Sequence, residues 1–458
     1  MKEEYKRIFR RSSIVLLLIL QLTIFFVIWE NSYNELDVIA STRIAEVAII
    51  CIYMLWMILV TKVFGGYNVG YLKITELFIL QTVSMVCVNI IEYLELCMIA
   101  HQYVSIEPMV IVTLCDIVIA LPWSYLTRFI YVRLYPAKNM IFIYGNHPQN
   151  ELVNKINEHD DKYNILAAIS VNEGIQKIYD NIGKYDAVII GDIPVRIRND
   201  ILKYCYSVSK RVYITPKLSD IIIRQAKEIH LFDTPLYMTR CMGLLPEQQA
   251  VKRVMDIVIS LIMLVILGIP MILTAIIIKL QDGGPVFYRQ ERLTKDRRPF
   301  TIIKFRSMII DSEKYGARLA SKDDARITPF GKFIRRIHFD EVPQLFNILR
   351  GDMSFVGPRP ERDCIAKQYE EKLPEYAFRL KVKAGLTGYA QVYGKYNTTP
   401  YDKLKLDLTY IEKYSLGLDV KIIFMTIKAI FQADNTEGVD ECQTTALPSD
   451  NKNEIKRH

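Results

Sequence analysis

The sequence predicts a membrane protein with three parts: a bundle of four transmembrane helices, a Rossmann-like α/β domain, and a mostly α-helical C-terminal domain with a re-entrant membrane helix. Three observations predict this fold. Four apolar runs of spanning length fill the first third of the chain, short apolar strands then alternate with amphipathic helices, and a fifth apolar run contains a proline. A chain of 458 residues is long enough for several domains.

The first part, residues 1–135, holds four runs that are each near the ~20 residues needed to cross the hydrocarbon core. Lysines and arginines precede the first run and follow the fourth, which places both ends of the bundle in the cytoplasm. Asp116 lies inside the fourth run, and a hydrogen bond to Asn89 in the bundle interior explains it better than a catalytic role. The predicted spans are Ser12–Trp29, Ile44–Phe64, Ile74–Leu96 and Val104–Leu126.

The second part, residues 139–240, alternates short apolar strands with amphipathic helices, a pattern typical of a parallel α/β domain. The first strand ends at Gly145 without the later glycines of a GxGxxG loop, so a structural or regulatory role is favoured over dinucleotide binding. The predicted strands are Ile141–Tyr144, Ile165–Ile169, Ala187–Ile190 and Arg211–Ile214. The predicted helices lie around Glu151–Asn157, Ile175–Asn181 and Ile197–Val208.

The third part, residues 250–432, opens with an apolar run at 252–279 that has basic residues at both ends. A true span would place one of these basic ends outside, against the positive-inside bias. Pro270 lies in the interior of the run, where proline breaks or kinks a helix. The run is therefore predicted to be a re-entrant helix. A polar tail, residues 433–458, is predicted to be disordered.

The composition limits the ligands of this protein. Hydrophobic residues make up 51% of the chain and the net charge is +8, which suits a membrane surface or phosphate-rich ligands. No basic stripe with interleaved aromatic residues is present, so nucleic acid is not an expected partner. The eight cysteines include no CxxC pair and predict neither a disulfide framework nor a zinc site.

The stretch from His338 to Pro360 carries an adjacent acid pair, Asp340 and Glu341. A simple interpretation is structural: Asp340 caps a short helix, Pro343 is tolerated in its first turn, and Gly351 closes it. Leu345, Phe346, Ile348 and Leu349 would then form the buried face of this helix.

The basic residues around the acid pair favour a second interpretation. Arg335 precedes the pair, Arg359 follows it on a proline-flanked loop, and Lys304 and Arg306 lie upstream. Carboxylates among fixed cations are typical of a phosphate site with a metal ion.

Three stretches resemble the bacterial sugar transferases, the monotopic polyprenyl-phosphate phosphoglycosyl transferases. They are KFRSM at 304–308, DEVPQL with NILRGDMSFVGPRP at 340–360, and KAGLTGYAQVYG at 383–394. The resemblance covers roughly residues 252–432, and the upstream arrangement is similar to the long members of the family. The chain departs from the usual pattern at Ala384, where proline is common, at Lys395, where arginine is common, and at Ile269-Pro270 in place of Ser-Pro.

The resemblance implies a function in the bacterial cytoplasmic membrane, with the catalytic domain on the cytoplasmic face. A phosphosugar would pass from a UDP-sugar to undecaprenyl phosphate, giving UMP and a polyprenyl-diphospho-sugar, as the first membrane step of exopolysaccharide, capsule or O-antigen synthesis. Asp340 would be the nucleophile, and Glu341 would hold Mg²⁺. The residues implied to bind substrate or phosphate are Lys304, Arg306, Arg335, Arg359, Gln391 and Lys395.

Two other functions stay open at this point. Tyr401 and Lys405 have the YxxxK spacing of a nucleotide-sugar dehydratase or epimerase, although the glycine-rich loop which that chemistry needs is absent. A non-catalytic scaffold for polysaccharide assembly is the other alternative. The sequence leaves open which sugar is used and whether the bundle or the α/β domain forms a homo-oligomer.

Overall fold

The computed structural model describes residues 2–33, 43–70, 72, 74–145, 153, 156, 163–239, 243–309, 326–394 and 398–430. Its contacts divide the chain into two compact units, Met1–Thr215 and Pro216–His458. The predicted disordered tail lies outside the described residues.

The first unit begins with four long helices where the sequence predicts four apolar runs. They are α1 (Lys2–Ser32), α2 (Arg43–Phe64), α3 (Ile74–Ala100) and α4 (Glu107–Leu134). Each is long and apolar enough to cross a membrane, as is one helix of the second unit, and this fits a membrane protein.

A polar network lies in the interior of these four helices. The Asn89 side chain donates to Asp116 Oδ2 at 3.1 Å and accepts from the Tyr53 hydroxyl at 2.9 Å. All three side chains are buried. The predicted hydrogen bond between Asn89 and Asp116 is therefore confirmed.

A parallel sheet follows in the same unit, with strand order β2-β1-β3-β4. Alternate residues of β1 pack on opposite faces: Ile141 and Ile143 join one core, and Met140 and Phe142 join another. This two-sided burial is typical of parallel sheets and confirms an α/β region. The described elements are β1 (Lys138–Tyr144), β2 (Tyr163–Ser170), α5 (Ile175–Ile182), β3 (Ala187–Ile190), α6 (Val195–Ser207) and β4 (Arg211–Ile214). Most of the helix predicted around 151–157 lies outside the described residues.

The second unit is mostly helical, with short β-pairs. Its elements are α7 (Leu218–Ile223), β5 (Lys227–Leu231), β6 (Thr234–Met238), α8 (Pro246–Asp282), β7 (Phe287–Leu293), β8 (Pro299–Phe305), α9 (Pro329–Arg336), α10 (Gln344–Arg350), β9 (Ser354–Val356), α11 (Asp363–Lys372), β10 (Gly385–Thr387), α12 (Tyr389–Tyr393), α13 (Pro400–Glu412) and α14 (Leu416–Ile430). Strands β5 and β6 form an antiparallel hairpin, as do β7 and β8, whereas β9 and β10 pair in parallel.

The core of the second unit includes a residue that the sequence places with the α/β domain. Ile221 on α7 is 7% exposed and packs in one cluster with Ile348, Leu404 and Tyr410. Helix α7 therefore packs with the C-terminal elements, because it supplies part of their apolar core.

Helix α8 runs through Pro270 as one 37-residue element. Its first half is anchored by a buried ion pair from Lys252 Nζ to Asp419 Oδ2 at 2.6 Å, and by Asp256, which accepts hydrogen bonds from the Ser354 side chain and the backbone of strand β9. Its last residue, Asp282, pairs with Arg306. Both ends thus make polar contacts within the same unit, about 39 Å apart along the helix axis.

Candidate active site

The acid pair lies in a short 3₁₀ turn, Phe339–Glu341, that precedes α10. His338 enters this turn in the left-handed region, at φ 53°, a conformation that non-glycine residues adopt uncommonly. The predicted helix cap is wrong: α10 begins only after Pro343, and the Asp340 side chain caps neither element. The left-handed residue and the proline separate a short 3₁₀ turn from the helix that follows. Both carboxylates lie on that turn.

Helix α10 fixes this turn to the rest of the unit. Leu345 and Ile348 are buried as predicted, whereas Phe346 is 44% exposed and does not belong to the buried face. Gly351 closes the helix in the left-handed region at φ 92°, which confirms the predicted stop. The buried Asn347 side chain accepts from Ile303 N at 3.0 Å and donates to Thr301 O at 2.8 Å. It thereby aligns strand β8, which carries Lys304.

Glu341 is held by two cations. Its Oε1 atom receives Lys304 Nζ at 2.6 Å and Arg359 Nη2 at 2.8 Å. Burial acts to raise the pKa of Glu341, but the positive charges of Arg359 and Lys304 outweigh it and hold the pKa well below its usual range. Glu341 is therefore ionised at any physiological pH.

Asp340 is in a different electrostatic state. Its carboxylate makes no hydrogen bond or ion pair with any other residue that the structure describes. Burial, and then the negative charge of Glu341, raise the pKa of Asp340 to about 6 against the opposing charges of the nearby cations. Asp340 is thus mostly ionised at pH 7, yet unpaired, which is the state that a carboxylate nucleophile requires.

The other predicted site residues are placed differently. Arg335, in the last turn of α9, lies close enough to lower the pKa of Asp340, and its side chain is unpaired among the described residues. Arg306 pairs with Asp282 at the end of α8 and not with the acid pair. Gln391 donates to Leu386 O at 3.1 Å, and its buried Oε1 atom has no partner among the residues that the structure describes. Lys395 lies outside the described residues.

The structure also reveals residues that the sequence analysis does not assign to the site. Arg379 is 4% exposed and donates from Nη2 to the backbone carbonyl of Arg359 at 3.0 Å. Asp407 pairs with Arg379 at 2.8 Å, and Lys403 lies one turn before Asp407 on α13. Within the described part of the chain Lys403 has no ion pair. A cation four residues before a buried acid is the only sequence signal for this group, and it is a weak one.

The oxygen atoms at the acid pair fit a magnesium ion. Both cations bind Oε1 of Glu341, so Oε2 is available as a ligand, and the Asp340 carboxylate is unpaired beside it. The described residues bring together no group of three or more His, Cys, Asp or Glu side chains. One or two carboxylates, completed by waters and substrate phosphates, are the usual ligand set of Mg²⁺.

The turn that carries the acid pair packs directly on the apolar helix α8. Phe339 and Val342, on either side of the pair, join a cluster with Met271 and Ile278 of α8. The opposite side of α8 exposes large apolar side chains, among them Val265, Ile266, Ile269, Ile272 and Leu280. The acid pair therefore lies against the same helix that exposes this apolar surface, on its opposite side.

The chain is similar to known proteins over the part that contains this site. The family model described as "Bacterial sugar transferase" matches residues 247–433. A UDP-glucose:undecaprenyl-phosphate glucose-1-phosphate transferase from Caulobacter vibrioides is 37% identical over 189 residues, which are 40% of this chain and 71% of that protein. The chain belongs to the bacterial sugar transferase family.

Two further relatives carry N-acetylgalactosamine in their names, where the Caulobacter relative carries glucose. A UDP-N-acetylgalactosamine-undecaprenyl-phosphate N-acetylgalactosaminephosphotransferase from Aeromonas hydrophila is 38% identical over 260 residues, 54% of this chain and 59% of that protein. A putative undecaprenyl-phosphate N-acetylgalactosaminyl 1-phosphate transferase from Bacillus subtilis is 51% identical over 132 residues, 29% of this chain and 73% of that protein. The chain spans less than two thirds of the Aeromonas relative.

Proposed function

We propose that this protein transfers a phosphosugar from a UDP-sugar to undecaprenyl phosphate. The observation that carries the proposal is the contrast within the acid pair: Glu341 is held by Lys304 and Arg359, while Asp340 is ionised and unpaired. Relatives named as undecaprenyl-phosphate sugar transferases support the substrate classes. A dehydratase or epimerase is not favoured, because the sequence lacks the glycine-rich loop on a strand-to-helix turn that this chemistry needs.

In the first step, an oxygen of Asp340 attacks the β-phosphorus of the UDP-sugar. A phosphorus–oxygen bond forms, the bond to the bridging oxygen breaks, and UMP leaves with the electron pair of that bond. Lys304, Arg335 and Arg359 would neutralise the negative charge on the equatorial oxygens. Mg²⁺ held by Glu341 would supply further neutralisation of the diphosphate charge when bound.

In the second step, a phosphate oxygen of undecaprenyl phosphate attacks the same phosphorus. The bond to Asp340 breaks, the carboxylate is restored, and undecaprenyl-diphospho-sugar is released. One carboxylate can thus meet a soluble donor and a lipid acceptor in turn. The packing of Phe339 and Val342 against α8 supports this order, because it puts Asp340 beside the lipid-facing helix.

We further propose that α8 is re-entrant and that α1 to α4 are true spans, with the active site on the cytoplasmic face of the bacterial inner membrane. The basic residues at both ends of α8 and Pro270 in its interior support the re-entrant helix, since a true span would place one basic end outside. Single cysteines at Val251 and Gln281, in a cysteine-free background, should both be labelled only from the cytoplasm. Labelling of position 281 from the periplasm would contradict this topology.

The domain limits are also a proposal. We place the catalytic domain at residues 216–432 and not at 250–432, because Ile221 packs in its core. The α/β region before it would be dispensable for the chemistry.

The experiment that tests the function is a UMP-release assay on the full chain in nanodiscs with undecaprenyl phosphate. A panel of UDP-glucose, UDP-galactose and their N-acetylated forms would identify the sugar. UMP release that depends on the lipid, with at least one donor, is the expected result. Absence of release with every donor, from a folded protein with Mg²⁺ present, would contradict the proposal and favour a scaffold.

A further inference from the structure

Arg359 is a site residue whose position needs explaining. It lies on the loop from Gly357 to Pro360, its side chain is 51% exposed, and its guanidinium still reaches Glu341 at 2.8 Å. A long exposed side chain has many rotamers, so its contact depends on how firmly its own backbone is held. The group that holds this backbone therefore affects the site without touching substrate.

Arg379 makes that contact from inside the unit. Its guanidinium has three partners. Nε and Nη2 both reach Asp407 Oδ2, at 2.9 and 2.8 Å, Nη1 donates to the Tyr376 hydroxyl at 2.6 Å, and Nη2 also donates to Arg359 O at 3.0 Å. Arg379 is 4% exposed and Asp407 is 1% exposed. Glu361, on the far side of Pro360, lies 3.6 Å from Nη1.

A planar guanidinium suits this task, because its donors point in fixed directions. Asp407 compensates the buried charge, and Tyr376 fixes the plane of the group. A buried ion pair is weak evidence for stability by itself, since apolar residues of similar volume often serve a core equally well. What distinguishes this pair is that its remaining donor is directed at the carbonyl of a site residue.

We propose that Arg379, held by Asp407, is a positioning residue that sets the backbone of Arg359 and so its contact with Glu341 and the donor diphosphate. The inference depends on the proposed function in one respect only, which is that its test measures UMP release. Loss of the positioning contact should act through Arg359 and should vanish when Arg359 is removed.

A double-mutant cycle tests this in the full chain, with UMP release as the readout. Arg379→Lys keeps the charge but cannot bond all three partners, and we expect kcat to fall about tenfold or more. In an Arg359→Ala background the same change should cost less than twofold. Arg379→Lys should also raise the KM for the UDP-sugar, as we expect for Arg359→Ala, because both changes weaken the contact of Arg359 with the donor diphosphate.

The matched control is Arg297→Lys. Arg297 is 40% exposed and forms ion pairs with Glu370 and Asp363 but none with Glu341 among the described residues, and its change should leave kcat and the KM for the UDP-sugar unaltered. If Arg379→Lys fails to fold by size exclusion and thermal melting, Tyr376→Phe removes only one partner and enters the same cycle, with a smaller expected loss.

Equal losses in the two Arg359 backgrounds, or an unchanged KM for the UDP-sugar, would overturn the positioning role and make Arg379 a core residue only. Absence of UMP release by the wild type would instead contradict the proposed function. The two failures are therefore distinguishable.

Discussion

The two units differ in the partners of their buried charged side chains. In the first unit, one carboxylate oxygen of Glu92 and one of Asp116 are buried with no hydrogen-bond partner among the described residues. In the second unit, the buried charges of Lys252 and Arg379 each have a carboxylate partner. The second unit also contains the acid pair, in which the Asp340 carboxylate has no partner among the described residues. We therefore expect the chemistry to belong to the second unit.

The largest loss of activity is expected from substitution of Asp340. Asp340→Asn retains the shape of the side chain but removes the nucleophile, so UMP release with lipid should fall by about 10³-fold or more. The measurement is steady-state turnover in nanodiscs. Asp363→Asn, a matched surface change, should leave turnover unaltered. Near-normal turnover of Asp340→Asn would refute the assignment.

A smaller loss is expected at Glu341. Glu341→Gln removes the charge that Lys304 and Arg359 contact and weakens a metal ligand, so turnover should fall by about 10²-fold. Raising the Mg²⁺ concentration should restore part of it. Glu173→Gln, in an exposed ion pair with Lys177, is the surface control. A Mg²⁺ dependence identical to that of the wild type would contradict a metal-binding role.

The pH dependence should follow Asp340, not Glu341. The raised pKa of Asp340, about 6, means that the reactive carboxylate is lost as the pH falls through that value. Turnover should therefore decrease about tenfold per pH unit below 6, and a pH series of kcat/KM measures it. A profile that stays flat down to pH 5 would show that the reactive group has a lower pKa.

The sequence predicts elements better than it predicts their partners. The four apolar runs, the four strands and the stop at Gly351 depend on local patterns, and the structure has helices, strands and a left-handed residue there. The split of the Asp340 stretch depends on the left-handed His338, for which histidine gives no strong signal. The partner of Lys252 lies 167 residues away, a distance over which no periodicity carries information.

The same lack of information about distant partners explains which site residues the sequence identifies and which it misses. Order along the chain places Lys304, Arg359 and the acid pair in one family pattern, and the structure brings them together. Arg306 belongs to the same pattern but pairs with Asp282, because the end of α8 lies beside it. Arg379 is missed, since an arginine in an amphipathic segment looks like any surface cation until the fold buries it.

The smallest loss of activity is expected from removal of the first unit. A chain that begins at Pro216 keeps Ile221 in the core and should retain UMP release within about fivefold of the full chain, measured in the same nanodiscs. A matched chain that begins at Leu245 lacks α7 and should be less stable, because it exposes the apolar cluster around Ile348. Complete loss of turnover in a folded, membrane-inserted 216–458 chain would contradict the expectation that the chemistry belongs to the second unit alone.

The most direct measurement is covalent labelling in the absence of lipid. Wild-type protein incubated with a UDP-sugar radiolabelled in the sugar should retain label and release UMP, and peptide mapping should place the label on Asp340. The Asp340→Asn variant should do neither, while Asp363→Asn should label like the wild type. Label on another residue, or UMP release by Asp340→Asn at the wild-type level, would contradict the claim that the unpaired carboxylate is the nucleophile.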